Sequence, residues 1–352
     1  MLKFIAATWP SISKRTLKPY VILPIAAFIA IISIVSNYLP GLDHLPLIWA
    51  FQIELQGGSA YGPEMHSLFK RFFDEPYASG GFAYPLTALW LSAPVAIFPA
   101  VLHKMLSCLL GAGSVVIGMR LLKMPLELFL FLPVLLSIYF VQVSLLIVGL
   151  CLIGIWAMRQ EHWHLTAWLS VLLGIAKPQA SLVIACVLAF QVVRAGQWKM
   201  LLLPSAILIG TPFLLEPSWF TSWLTTLSTY RGAIPSVWHF YWIVLAGILF
   251  WQRQFWPGIA VLQIALFPLI TSPYVFCPLL IANIDLRSKL NVWMVVAFSW
   301  TINLLWGTTA YWLCVLIAFA LPLFYIAWQT NRKQQTEQAL NPELQSIQST
   351  VK

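Results

Sequence analysis

Acidic residues are scarce in this chain: 11 among 352, against 20 lysines and arginines, giving a net charge of +9 with only 9% of residues charged. A soluble domain usually carries about 25% charged residues, so an ordinary solvated surface is excluded. Strand-like alternation of apolar and polar residues is also absent. That removes a closed barrel and leaves helices to satisfy the backbone in an apolar medium. Cysteines are few, and Cys108, Cys151, Cys186, Cys277 and Cys314 all lie inside apolar stretches without paired spacing. This argues for packing roles and against a disulfide framework or a zinc site. No small-residue cleavage pattern follows Leu39, so the basic-then-apolar beginning reads as a retained first helix.

What is present is apolar surface, with 60% hydrophobic and 14% aromatic residues. One soluble core could not hide it, and a bilayer core of about 30 Å takes about 20 such residues per helix. Apolar runs near 20–39, 102–121, 124–140, 142–158, 164–177, 179–194, 199–216, 237–251, 255–271, 274–286, 290–306 and 309–328 predict an all-α, polytopic transmembrane bundle. It would occupy residues 1–329, with 330–352 as a polar, disordered cytoplasmic tail.

The bases cluster between those runs, at Lys14/Arg15/Lys18, Arg120/Lys123, Arg194/Lys199, Arg287/Lys289 and Arg332/Lys333. This is positive-inside patterning with both termini cytoplasmic, and it offers no aromatic-interleaved basic face for nucleic acid. The charge pattern is consistent only if the run from Pro85 to Pro99, interrupted by prolines at 85, 94 and 99, fails to cross the membrane. A re-entrant or half-length element is expected there. Asp43, Lys177, Arg231 and Tyr274 then share the outer side, together with two loops, 40–83 and 217–236.

The first loop holds five of the 11 acids: Asp43, Glu54, Glu64, Asp74 and Glu75. A carboxylate at the mouth of a span is a candidate site, although an aspartate after a Pro-Gly turn also suits a helix cap. Leu45 to Leu55 reads as an amphipathic helix on the membrane surface, ended by Gly57-Gly58. Lys177-Pro178 puts a cation where a proline breaks the helix, suited to a lipid phosphate or to simple snorkelling. Arg231 is the one base of the second loop and could clamp a phosphate, or be a solvated loop residue. His44, His66 and Glu64 could assist Asp43. They do not form a metal-binding pattern, and a divalent ion held by carboxylates alone is left open.

Four stretches together resemble the polyprenyl-phosphate-sugar-dependent glycosyltransferases of the GT-C superfamily, most closely glycosyltransferase family 87. They are Asp43 with Ala50, Gly57-Gly58 and Tyr61; FAYPLTALWLSAP at 82–94, with Tyr84; VQVSLLIVGLCLIGIWAMRQ, led by Gln142, followed by LSVLLGIAKPQASLVIA, over 141–185; and LITSPYVFCPLL at 269–280, with Tyr274. The chain departs from the family pattern at Ser144, where asparagine is usual, at Leu86, which replaces a second proline, and near Cys277, where an acid is missing. The resemblance implies inverting transfer of a sugar, mannose or another hexose or pentose, from a polyprenyl-phosphate donor to a lipid or glycan hydroxyl on the outer face. It implies Asp43 as base, Lys177 and Arg231 on the donor phosphate, and His44, Tyr61, His66, Tyr84, Gln142 and Tyr274 near substrate, with no cofactor required. The rival expectations are a lipid or small-molecule transporter and an assembly subunit without catalysis.

Overall fold

A computed structural model describes residues 44–72, 81–229, 239–266, 273–286 and 288–304. The expected helices at 20–39 and 309–328, the tail at 330–352, and Asp43, Asp74, Glu75 and Arg231 lie outside the described residues.

Every regular element among the described residues is helical. In chain order the α-helices are α1 (His44–Leu55), α2 (Pro63–Phe72), α3 (Leu89–Ala96), α4 (Ala100–Leu121), α5 (Leu132–Tyr139), α6 (Val143–Arg159), α7 (Trp163–Ala176), α8 (Pro178–Arg194), α9 (Leu202–Leu215), α10 (Trp219–Thr229), α11 (His239–Trp251), α12 (Phe255–Leu266) and α13 (Lys289–Leu304). Single 3₁₀ segments run over Leu86–Ala88, Leu126–Leu130, Trp198–Leu201 and Pro273–Asn283. Leu102–Leu121 and Trp198–Leu215 are long and apolar enough to cross a membrane, and shorter apolar helices accompany them.

Proline sets several boundaries. Pro178 starts α8, where its missing N–H costs nothing and its fixed φ suits the first turn. Pro94 lies inside α3, whose eight residues span only about 12 Å, so the run from 85 to 99 is short, as its three prolines led one to expect. Helix ends follow one pattern. Gly57, Lys123, Val141, Glu161, Gly196 and Arg253 all take a left-handed backbone. Each is followed by an N–H that reaches back five residues, as in Gln142 to the Ser137 carbonyl (2.7 Å) and His162 to the Ala157 carbonyl (2.9 Å). This satisfies carbonyls the helix end would leave orphaned.

Among the described residues the core has two main parts and a small third of Ile48, Val95 and Ala96. The larger joins α4–α8, α11, α12 and the 273–283 segment through Val115, Val148, Ile155, Ile184, Leu249 and Ile281, among others. Close approach of α4 to α6 depends on Gly149, where a β-carbon would fall 2.6 Å from the Ser114 backbone. The smaller core packs α1, α2 and the 82–89 stretch against Trp219. Val143, at the start of α6, touches both, so the seam between the two cores runs past that helix end.

α1 is present where the sequence placed a helix, but it is not two-sided. His44, Leu47, Ile48, Ala50, Ile53 and Glu54 are buried around its circumference, and it packs on α3. The strongly amphipathic helix of this loop is α2, with Met65 and Phe69 inward and Glu64, Lys70 and Arg71 on the other face. A second departure is α10, which forms within the stretch read as the 217–236 loop.

Candidate functional site

The seam collects the polar groups. Lys177 occupies the single residue between α7 and α8, with an extended backbone (φ −148°, ψ 75°) that breaks one helix and opens the next. Its side chain is only 6% exposed. Nζ donates to Ser144 Oγ at 3.0 Å and to the Tyr84 hydroxyl at 3.3 Å, and lies 5.2 Å from the Tyr84 ring centroid. Hydroxyls and a π-face orient an ammonium.

The chain either side of the break is splinted. Gln263 of α12 is fully buried; its Oε1 accepts the Val183 N–H at 2.7 Å and its Nε2 donates to the Pro178 and Gln179 carbonyls, both at 3.1 Å. Val183 and Gln179 would form one rung of the α8 ladder, so the amide bridges that rung just beyond the lysine. On the other side, Thr87 Oγ1 donates to the Ile175 carbonyl at 2.6 Å, tying the 86–88 turn to the last turn of α7. This contact delivers Tyr84 to Lys177.

From Tyr84 the network continues into the first loop. Tyr61 donates its hydroxyl proton to the Tyr84 carbonyl at 2.8 Å, and Phe82 lies tilted against both tyrosines, its ring centroid 5.7 Å from each of theirs. Burial, then the Glu216 and Glu54 charges, push the Tyr61 phenol up, so it remains a donor.

Those two glutamates form a carboxyl pair that bridges α1 and the end of α9. Glu54 accepts the Ala60 N–H at 2.7 Å, and Glu216 accepts the Ser59 hydroxyl at 3.0 Å. Burial and the adjoining Glu216 carboxyl push Glu54 up to about 7, against the Ala60 N–H, which pulls it down. A carboxyl in this range can take and release a proton near neutrality. Glu216 was missed by the sequence reading, although it is the one acid between Glu161 and Asp285.

The sequence-derived candidates therefore divide. Lys177, Tyr84 and Tyr61 come together, and Ser144, noticed only as a departure from a family pattern, joins them. Gln142 is buried two residues before Ser144. His44 is drawn inward rather than to solvent: its ring lies against Ser107 Oγ, with Nδ1 at 2.6 Å, and burial followed by the nearby His103 lowers its pKa to about 3. It is neutral at working pH. His66 is exposed on α2, its ring filling the space over Gly81, where a β-carbon would come within 2.8 Å of it, and the structure does not bring it to Lys177. Tyr274 lies on the 273–283 segment, its side chain outside what is described. Among the described residues no three histidine, cysteine or acidic groups gather as ligands for a metal ion.

No family model, no curated protein and no solved structure matches this chain.

Proposed function

We propose that the chain is a polytopic membrane glycosyltransferase of the GT-C type, working on the outer face with a polyprenyl-phosphate sugar as donor and a lipid or glycan hydroxyl as acceptor. The observation that supports this most is the buried Lys177 ammonium at the α7–α8 break, held by Tyr84 and Ser144 and joined through Tyr61 to a first loop that carries carboxyls. The membrane part of the reading draws on the apolar outer faces. Leu202, Leu203, Leu214 and Leu215 of α9 and Trp251 of α11 are exposed, and such surface needs lipid around it.

In the reaction the acceptor oxygen attacks the anomeric carbon as the bond from that carbon to the phosphate oxygen breaks, inverting the centre. The acceptor proton passes to a carboxylate, and the negative charge gathering on the leaving phosphate is met by Lys177. Fixed charge aimed at the leaving group lowers the barrier because it acts where charge develops. Asp43, the residue before α1, is the base that the resemblance to glycosyltransferase family 87 assigns. Glu54 is the second candidate, favoured by its raised pKa and its place in the tyrosine network.

The test is sugar transfer by the purified chain in lipid nanodiscs from polyprenyl-phosphate-mannose and polyprenyl-phosphate-pentose donors, with Asp43→Asn and Glu54→Gln alongside. Losing the base is expected to slow transfer by about 10²–10⁴ in one variant and to leave the other near wild type. Donor lipid that binds, moves across the bilayer and keeps its sugar would favour the transporter instead.

A further inference from the structure

A small cavity lies beside the α6 N-terminus, on the α1 and α4 side. Its polar walls are His44, Ser92, Ser107 and Gln142, and its remaining walls are apolar, including Leu47, Leu91 and Leu146. Among the described residues, no lysine, arginine, aspartate or glutamate lines it.

Gln142 is the unusual member. It is the residue preceding α6 and only 4% exposed, yet its side chain makes no capping bond, and neither Oε1 nor Nε2 has a hydrogen-bond partner. A buried amide with both its donor and its acceptor unmet carries a full desolvation penalty, so native structures rarely leave one. The backbone beside it is strained as well. Val141, another wall of the cavity, has φ +52°, a left-handed conformation that β-branched residues seldom adopt. It is the same helix-end conformation that Lys123, Glu161 and Arg253 take.

We infer that this cavity is a subsite for an uncharged hydroxyl-bearing group, the hydroxyl or hydroxymethyl arm of a glycosyl headgroup, with the Gln142 amide as its main partner. The amide can give N–H to that hydroxyl oxygen or take its O–H, and a cavity of about 20 Å³ has room for one such arm. Ser107 and the neutral His44 ring already bond each other and complete the wall without charge. No described wall residue is cationic, which favours a neutral group over phosphate. The cation lies close by instead: Ser144, which holds Lys177, is two residues along the same helix, so the α6 N-terminus separates a charged anchor from a neutral slot. The inference rests on the proposed donor chemistry for its choice of a sugar, while the slot itself rests on the unmet amide.

Binding of three lipids to the full chain in nanodiscs tests it: polyprenyl phosphate, polyprenyl-phosphate-mannose, and glucosyl diacylglycerol, which has a sugar and no phosphate. Gln142→Leu is expected to weaken both glycosylated lipids by roughly tenfold to a hundredfold and to leave bare polyprenyl phosphate within about twofold, because only the sugar edge loses its partner. Ser107→Ala, a smaller change, should weaken the same two lipids in the same direction. If wild type ignores both polyprenyl lipids but holds glucosyl diacylglycerol through Gln142, the donor assignment falls and the subsite stands. Equal affinity of wild type and both variants for every glycosylated lipid, or no binding of either glycosylated lipid to wild type, overturns the subsite and leaves a water-filled cavity.

Discussion

The Lys177 ammonium donates to Ser144 Oγ at 3.0 Å, so the first turn of α6 holds the buried cation placed at the break between α7 and α8. The pairing gives the serine a specific job. Lys177→Met should weaken binding of polyprenyl phosphate by at least tenfold, and Lys177→Arg should keep part of it, since charge survives while headgroup geometry changes. Ser144→Ala should cost less than Lys177→Met, because the charge remains and only its orientation loosens. Unchanged affinity in Lys177→Met would reduce the lysine to a helix-end residue.

Glu54 gives the fold a pH dependence of known sign. Its folded pKa of about 7 lies above the ordinary 4.5, so between those values the folded chain keeps a proton that the unfolded chain has released. Stability from this group is full below about pH 4.5 and is lost as the pH rises through about 7. Glu54→Gln fixes the neutral form and should flatten that part of the curve in thermal unfolding at pH 4 to 9. An identical slope in wild type and variant would place the titrating group elsewhere.

The α4–α6 contact should be sensitive to a single methyl. A β-carbon at Gly149 meets Ser114 backbone, which cannot swing aside as a side-chain tip could. Gly149→Ala is expected to destabilise the chain by about 1–3 kcal/mol in denaturant unfolding, with Gly113→Ala, where nothing lies within 4 Å, as the near-neutral control.

Topology can be read by impermeant thiol labelling after replacement of the five cysteines. Gln56→Cys and Ser218→Cys, both at exposed positions, should label from outside, and Ala195→Cys only after permeabilisation. Labelling of Gln56→Cys and Ala195→Cys from the same side would break the charge-based orientation.

Much of the helical core is legible in the sequence because its signals are strong. α6 and α8 are mostly apolar and end at Arg159 and Arg194, and Pro178 marks the start of α8 to within a residue. α2 and α10 escaped because they are short, polar on one face and rich in residues that also suit loops. Lys177 was identifiable as a cation at a proline, but its partners were not, since Tyr84 and Ser144 lie 93 and 33 positions away. Glu216 gave a signal in its isolation, obscured by its place at the end of an apolar run before Pro217. The unmet Gln142 amide gave none, because burial without a partner is a property of packing and leaves no mark on spacing.

The central claim is that Lys177 receives the donor's phosphate. It is tested most directly by a structure of the chain in nanodiscs with polyprenyl phosphate bound. The account requires phosphate density with an oxygen at charge-assisted hydrogen-bond distance, about 2.7–2.9 Å, from Lys177 Nζ, on the side facing Tyr84. Phosphate ordered at another place on the protein, with Lys177 still bonded only within the chain, would contradict it.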